Sequence, residues 1–77
     1  MRVLAHIPHP LMRISITSWN EKFQLRFELD RFEQVFKIGQ DEVSSLEAVK
    51  QMGLDMAESV LIRFVSMRES YNQTNTP

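Results

Sequence analysis

The two histidines of the chain, His6 and His9, lie in the run His6-Ile7-Pro8-His9-Pro10 and are the first place to look for metal chemistry. A metal site needs several nitrogen, oxygen or sulfur ligands converging on one point. Two prolines favour extended or polyproline-like backbone here, where three residues span about 9 Å, too far for two short imidazoles to share an ion without a bend. The run is read as a structural arm. The chain has no cysteine, which removes thiolate zinc sites, iron-sulfur clusters and thiol nucleophiles. No base stands beside a nucleophile in any recognisable spacing. No carboxylate pair is set to face a cleft, and Gly39 and Gly53, the only glycines, build no phosphate loop. The expectation is a protein that is not an enzyme and holds neither metal nor cofactor.

Groups suited to recognition remain: Trp19, Lys22, Arg13, Arg26 and Lys37. Strand periodicity decides whether they share a surface. From Met12 the chain alternates, with Met12, Ile14 and Ile16 apolar and Arg13, Ser15 and Thr17 polar, the pattern of a half-buried strand. A second run sets Phe23, Leu25, Phe27 and Leu29 against Gln24, Arg26, Glu28 and Asp30. The third, Phe32 to Ile38, has Phe32, Phe36 and Ile38 on one parity, with Gln34 as its polar exception and Val35 as an apolar residue on the wrong side.

Hairpins at Asn20-Glu21 and Asp30-Arg31 would pair Met12 with Leu29, Ile14 with Phe27 and Ile16 with Leu25, then Leu29 with Phe32, Leu25 with Phe36 and Phe23 with Ile38. All six pairs are apolar and fall on one face. The opposite face would hold Trp19 near Lys22, Arg13 opposite Glu28, and Glu28 against Glu33. Neither turn dipeptide is Asn-Gly, so longer loops of the same parity fit equally. Trp19 then either anchors a partner or folds over the hairpin end to shield the Gly39 loop.

After Gly39 the period changes. Ser44-Ser45-Leu46-Glu47 reads as a capping box in which the Ser44 hydroxyl accepts from the Glu47 amide. Leu46, Val49, Gly53, Met56, Val60, Phe64, Met67 and Tyr71 follow at steps of three and four, one stripe along a helix. Met52, Met56 and Met67 read as adaptable filler. Gly53 could break the helix, since Asp55 and Glu58 have capping spacing of their own. The expected architecture is α+β: a three-stranded antiparallel meander and one long C-terminal helix, in a single domain over 1–71 with a polar tail over 72–77. The tail triplet Asn72-Gln73-Thr74 matches a glycosylation sequon, which needs a secretory route.

A 77-residue chain buries too small a share of its surface to be more than marginally stable alone. Without disulfides, self-association is the remaining support. A helix from Ser44 to Tyr71 would be about 42 Å long over strands of about 24 Å, so its last dozen residues would project beyond the sheet. Its apolar arc also widens, through Leu54, Leu61, Ile62 and Val65. A homodimer across those four residues is expected, helped by Val3, Leu4 and Ile7 of the N-terminal arm. The lack of cysteine, of a signal-peptide pattern and of any long apolar run fits a cytoplasmic protein that does not enter membranes. Net charge −1 gives no overall pull toward nucleic acid.

The run Phe32-Glu33-Gln34-Val35-Phe36-Lys37-Ile38, with Trp19 before it and Arg63-Phe64 and Met67 after it, is similar to a set of small uncharacterised bacterial proteins over residues 12–70. The resemblance implies the same order of strands and helix and carries no activity. The sequence therefore points to a non-catalytic homodimeric accessory protein whose partner surface is Trp19, Lys22, Arg13, Arg26 and Lys37. A nucleic-acid binder using that face, and a carrier of a small ligand at the dimer interface, are the alternatives.

Overall fold

The computed structural model describes residues 2–43 and 45–75, Asn75 by its backbone alone. Four strands, β1 (Arg2–Ile7), β2 (Arg13–Trp19), β3 (Lys22–Leu29) and β4 (Phe32–Gly39), precede one helix, α1 (Leu46–Asn75). The strands form one antiparallel meander in the order β1-β2-β3-β4, and α1 touches all four. The α+β class and the meander-then-helix order follow the periodicity of the sequence; the strand count does not.

The strand that periodicity misses is β1, expected as an arm. It pairs with β2 through Arg2↔Ser18 and Val3↔Thr17, then through Ala5↔Ile16, His6↔Ser15 and Ile7↔Ile14. Leu4 is the extra residue of a bulge between them. A bulge reverses the face of everything beyond it, so Arg2 to Ile7 shows no continuous alternation and no pattern search finds it. After the bulge Ala5 and Ile7 join the inner face. The loop behind β1 is closed by His9, whose Nδ1 accepts from the Leu11 and Met12 amides at 3.0 and 3.2 Å.

Both hairpins have the expected register, from Arg13↔Glu28 to Trp19↔Lys22 and from Lys22↔Gly39 to Leu29↔Phe32. The turns are two residues long. Asn20 and Glu21 both adopt left-handed backbone, with φ of 55° and 61°, as a type I′ turn requires. Glu21 thus occupies a conformation that ordinary side chains disfavour by roughly 1 kcal/mol or more. Its carbonyl accepts from the Gln40 amide at 3.2 Å, which fastens the end of β4 to this turn.

The helix is continuous through Gly53 and about 45 Å long, matching the 47 Å long axis of the molecule. Its N-cap is Ser45, whose Oγ accepts from the Ala48 amide at 3.3 Å; the cap expected at Ser44 lies outside the described residues. Because α1 continues to Asn75, its last turn holds no basic residue, and Arg68 instead bonds Asp30 at 3.2 Å.

The projection past the sheet is shorter than the expected 60–71: Val60 and Phe64 are buried and Met67 is half-buried, and only from Arg68 onward is every described side chain exposed. Gly53 lies over Ile7 of β1 and Leu25 of β3, the Val60 carbonyl accepts from Gln34 Nε2 of β4 at 3.1 Å, and Tyr71 meets Phe32 edge-on. The helix therefore crosses the sheet obliquely, and a diagonal path offers more platform than one strand length. Val49, Val60 and Phe64 are buried with Ile14, Ile16, Leu25, Phe27 and Ile38 in one core. Gln34, the polar exception, uses its amide on this interface, bonding Val60 and approaching Met67 Sδ at 3.7 Å.

A Cβ on Gly53 would stand 2.6 Å from Ile7 Cδ1 and 3.3 Å from Leu25 Cδ1, so glycine sets how closely helix and sheet approach. Gly53→Ala gains helix propensity of about 1 kcal/mol but strikes Ile7, whereas Ile7→Val removes the obstructing methyl. In denaturant melts the two substitutions together are expected to be more stable than the sum of the single effects by about 1 kcal/mol. Simple additivity contradicts the close approach.

Candidate functional site

Register alone gathers the five recognition residues. Trp19 and Lys22 are paired at one end of the outer face, Arg26 sits between Ser15 and Val35 at its middle, Lys37 lies beside Gln24, and Arg13 lies beside Glu28 at the far end. Trp19 is 51% exposed.

The cations are not equivalent. Arg26 Nε lies 3.3 Å from Glu33 Oε1, an ion pair without hydrogen-bond alignment, and Arg26 Nη1 lies 4.0 Å from Glu28 Oε1. Held between two carboxylates, Arg26 offers little net charge. It also relieves the repulsion expected between the directly opposed Glu28 and Glu33. Arg13, Lys22 and Lys37 have no ion pair among the described residues.

Sequence reasoning missed the densest part of this face. Ser15, Thr17 and Gln24 are buried although helix α1 lies on the other side. Thr17 is flanked by Val3 and Gln24 across the sheet and by Ser15 and Trp19 along its strand. Its Oγ1 is buried with no hydrogen-bond partner. Alternation predicted only that Thr17 faces outward; the cover from Val3 depends on the bulged strand that alternation does not reveal.

The second surface is on α1. Leu54, Ile62 and Val65 are 55%, 63% and 47% exposed, and Leu61 is half-buried. At 100° per residue, Leu54, Leu61 and Val65 lie within about 40° of one another and roughly 120–160° from Met67. Met67 faces β4 through Gln34. The apolar flank is therefore turned away from the β4 edge, toward the β1 side.

Elsewhere, Arg31 stacks over the Tyr71 ring at 4.8 Å and donates to its hydroxyl, closing the β3-β4 turn onto the helix end. The adjoining open depression is lined by these residues with Asp30, Phe32, Arg68 and Asn72. Its groups are already engaged with one another. Among the described residues no group of three His, Asp or Glu could hold a metal, and no helix is long and apolar enough to cross a membrane.

Comparison with protein-family models, with curated proteins and with solved structures finds no match to this chain. The two surfaces must be interpreted from their own chemistry.

Thr17→Val replaces an orphaned buried hydroxyl by a methyl. It is expected to stabilise the chain by about 1 kcal/mol, read as a rise in Tm of several degrees. A loss of stability of that size would show that the hydroxyl has a partner.

Proposed function

We propose that the protein is a non-catalytic, self-associating interaction module, with the α1 flank as its pairing face and the outer sheet face, anchored at Trp19, as the surface offered to a partner protein. The observation that carries this reading is the exposure of Leu54, Ile62 and Val65 on one side of the helix that forms the core. An exposed apolar flank on so small a chain favours burial against another surface. An identical flank supplies that surface by two-fold symmetry. The small size of the core adds weight, since association stabilises whatever fold it requires.

Leu54→Lys with Val65→Lys alters only exposed positions and is compatible with an unchanged helix. The expected result in analytical ultracentrifugation is a lower particle mass than that of the wild type, with unchanged circular dichroism. An unaltered mass overturns the helix-flank reading.

One observation favours a second reading. Three cations of the outer face, Arg13, Lys22 and Lys37, have no ion pair among the described residues, and Trp19 beside Lys22 could stack on a base. Were single-stranded nucleic acid the ligand, binding would weaken steeply with added salt, and Lys22→Glu would remove most of it. Salt-independent or absent retention of a labelled oligonucleotide excludes that reading.

A further inference from the structure

The two edges of the sheet differ in how they meet solvent. On β1 the edge is broken by the bulge at Leu4 and followed by Pro8 and Pro10, devices that discourage strand addition. The other edge, β4, is eight residues long, pairs with β3 in unbroken register and contains no proline. Its last strand pair, Leu29↔Phe32, closes a two-residue turn, so these residues exchange backbone bonds with each other. Alternation then points the backbone groups of Phe32, Gln34, Phe36 and Ile38 to β3, and those of Glu33, Val35 and Lys37 outward. No backbone or side-chain hydrogen bond among the described residues reaches those outward groups.

The geometry points to a second copy of this chain as the occupant of that edge, added antiparallel about a two-fold axis at Val35. In that register Val35 meets the Val35 of the other copy, and Glu33 meets its Lys37 on either side of the axis. On the inner face Phe32 meets Ile38, and Gln34 meets Phe36. The odd-numbered residues that face one another are those whose backbone groups are free, so each opposed pair exchanges both bonds. Slipping by two residues in either direction sets Val35 against Lys37 or against Glu33 and loses both charge pairs. The chosen register is thus fixed by charge as well as by hydrogen bonding. It also accounts for Val35, the one apolar side chain on the wrong parity of β4, 38% exposed in the single chain: two copies bury it against itself at the axis. Glu33 keeps its Arg26 contact on the side away from the new strand.

This edge faces away from the helix flank, so the inference stands independently of the helix pairing proposed above. Two self-complementary surfaces on opposite sides of one chain build assemblies larger than a dimer.

The test uses the full chain. Protein carrying Leu54→Lys and Val65→Lys is expected to sediment as a dimer at tens of micromolar, and adding Lys37→Glu is expected to make it monomeric. Lys37→Glu and Glu33→Lys each place like charges across the axis, yet a mixture of the two variants sets unlike charges at every position. Each should be monomeric alone in the helix-flank background, and their mixture should form a one-to-one dimer. Amide exchange at Glu33, Val35 and Lys37 should be slowed about tenfold or more in the dimer relative to the monomer, with Gln34 and Phe36 protected in both. A folded Leu54→Lys/Val65→Lys chain that is monomeric, or the three odd-numbered amides exchanging equally fast in dimer and monomer, overturns the inference and leaves the helix-flank reading untouched. If Lys37→Glu in the otherwise unaltered chain leaves its mass unchanged, that likewise overturns it.

Discussion

One helix as long as the whole molecule has to be held by a sheet that can touch only one of its sides. Everything else in the chain adjusts to that constraint. Gly53 supplies the close approach that lets α1 lie over Ile7 and Leu25. An oblique path lengthens the platform enough for Met67 and Tyr71 to remain seated on β4. Gln34 places an amide inside the interface and satisfies it with a helix carbonyl at 3.1 Å. A rod covered on one side still leaves another side open, and here the open flank is apolar.

The sheet is constrained in a similar way. Four strands in a meander leave two edges and one uncovered face. One edge is blunted by a bulge and by the prolines behind it; the other is straight and unblocked. The uncovered face is more closely packed than its polarity suggests, because Ser15, Thr17 and Gln24 lie low between longer side chains. Arg26 knits Glu28 and Glu33 together there, which leaves Arg13, Lys22 and Lys37 as the charged groups able to meet a partner, with Trp19 beside Lys22.

How much of this could be read from sequence depends on what kind of physical rule fixed each part. Register in both hairpins was legible because a side-chain period of two allows one apolar pairing scheme, and a slip by one residue would expose every inward residue of β3. The helical stripe was legible for the same reason at its own period. What was hidden came from breaks in periodicity. Leu4 spoils the alternation of β1. The helix path could not be read from lengths alone, because its angle to the strands is set by side-chain shape around Gly53. At the candidate surface, the shared face of Trp19, Lys22, Arg13, Arg26 and Lys37 followed from parity. The neutralisation of Arg26 and the buried hydroxyl of Thr17 required knowing how close neighbouring side chains come.

If a second copy covers the open flank of α1, as proposed, the stability of the fold depends on how much protein is present. Thermal melts over a broad range of chain concentration measure that linkage directly. The account predicts a Tm that climbs steadily with concentration, since a hundredfold increase in a binding species above its dissociation constant adds about 2.7 kcal/mol to the folded state. A Tm that stays constant over that range would mean that one copy of this chain is sufficient by itself, and would contradict the central claim.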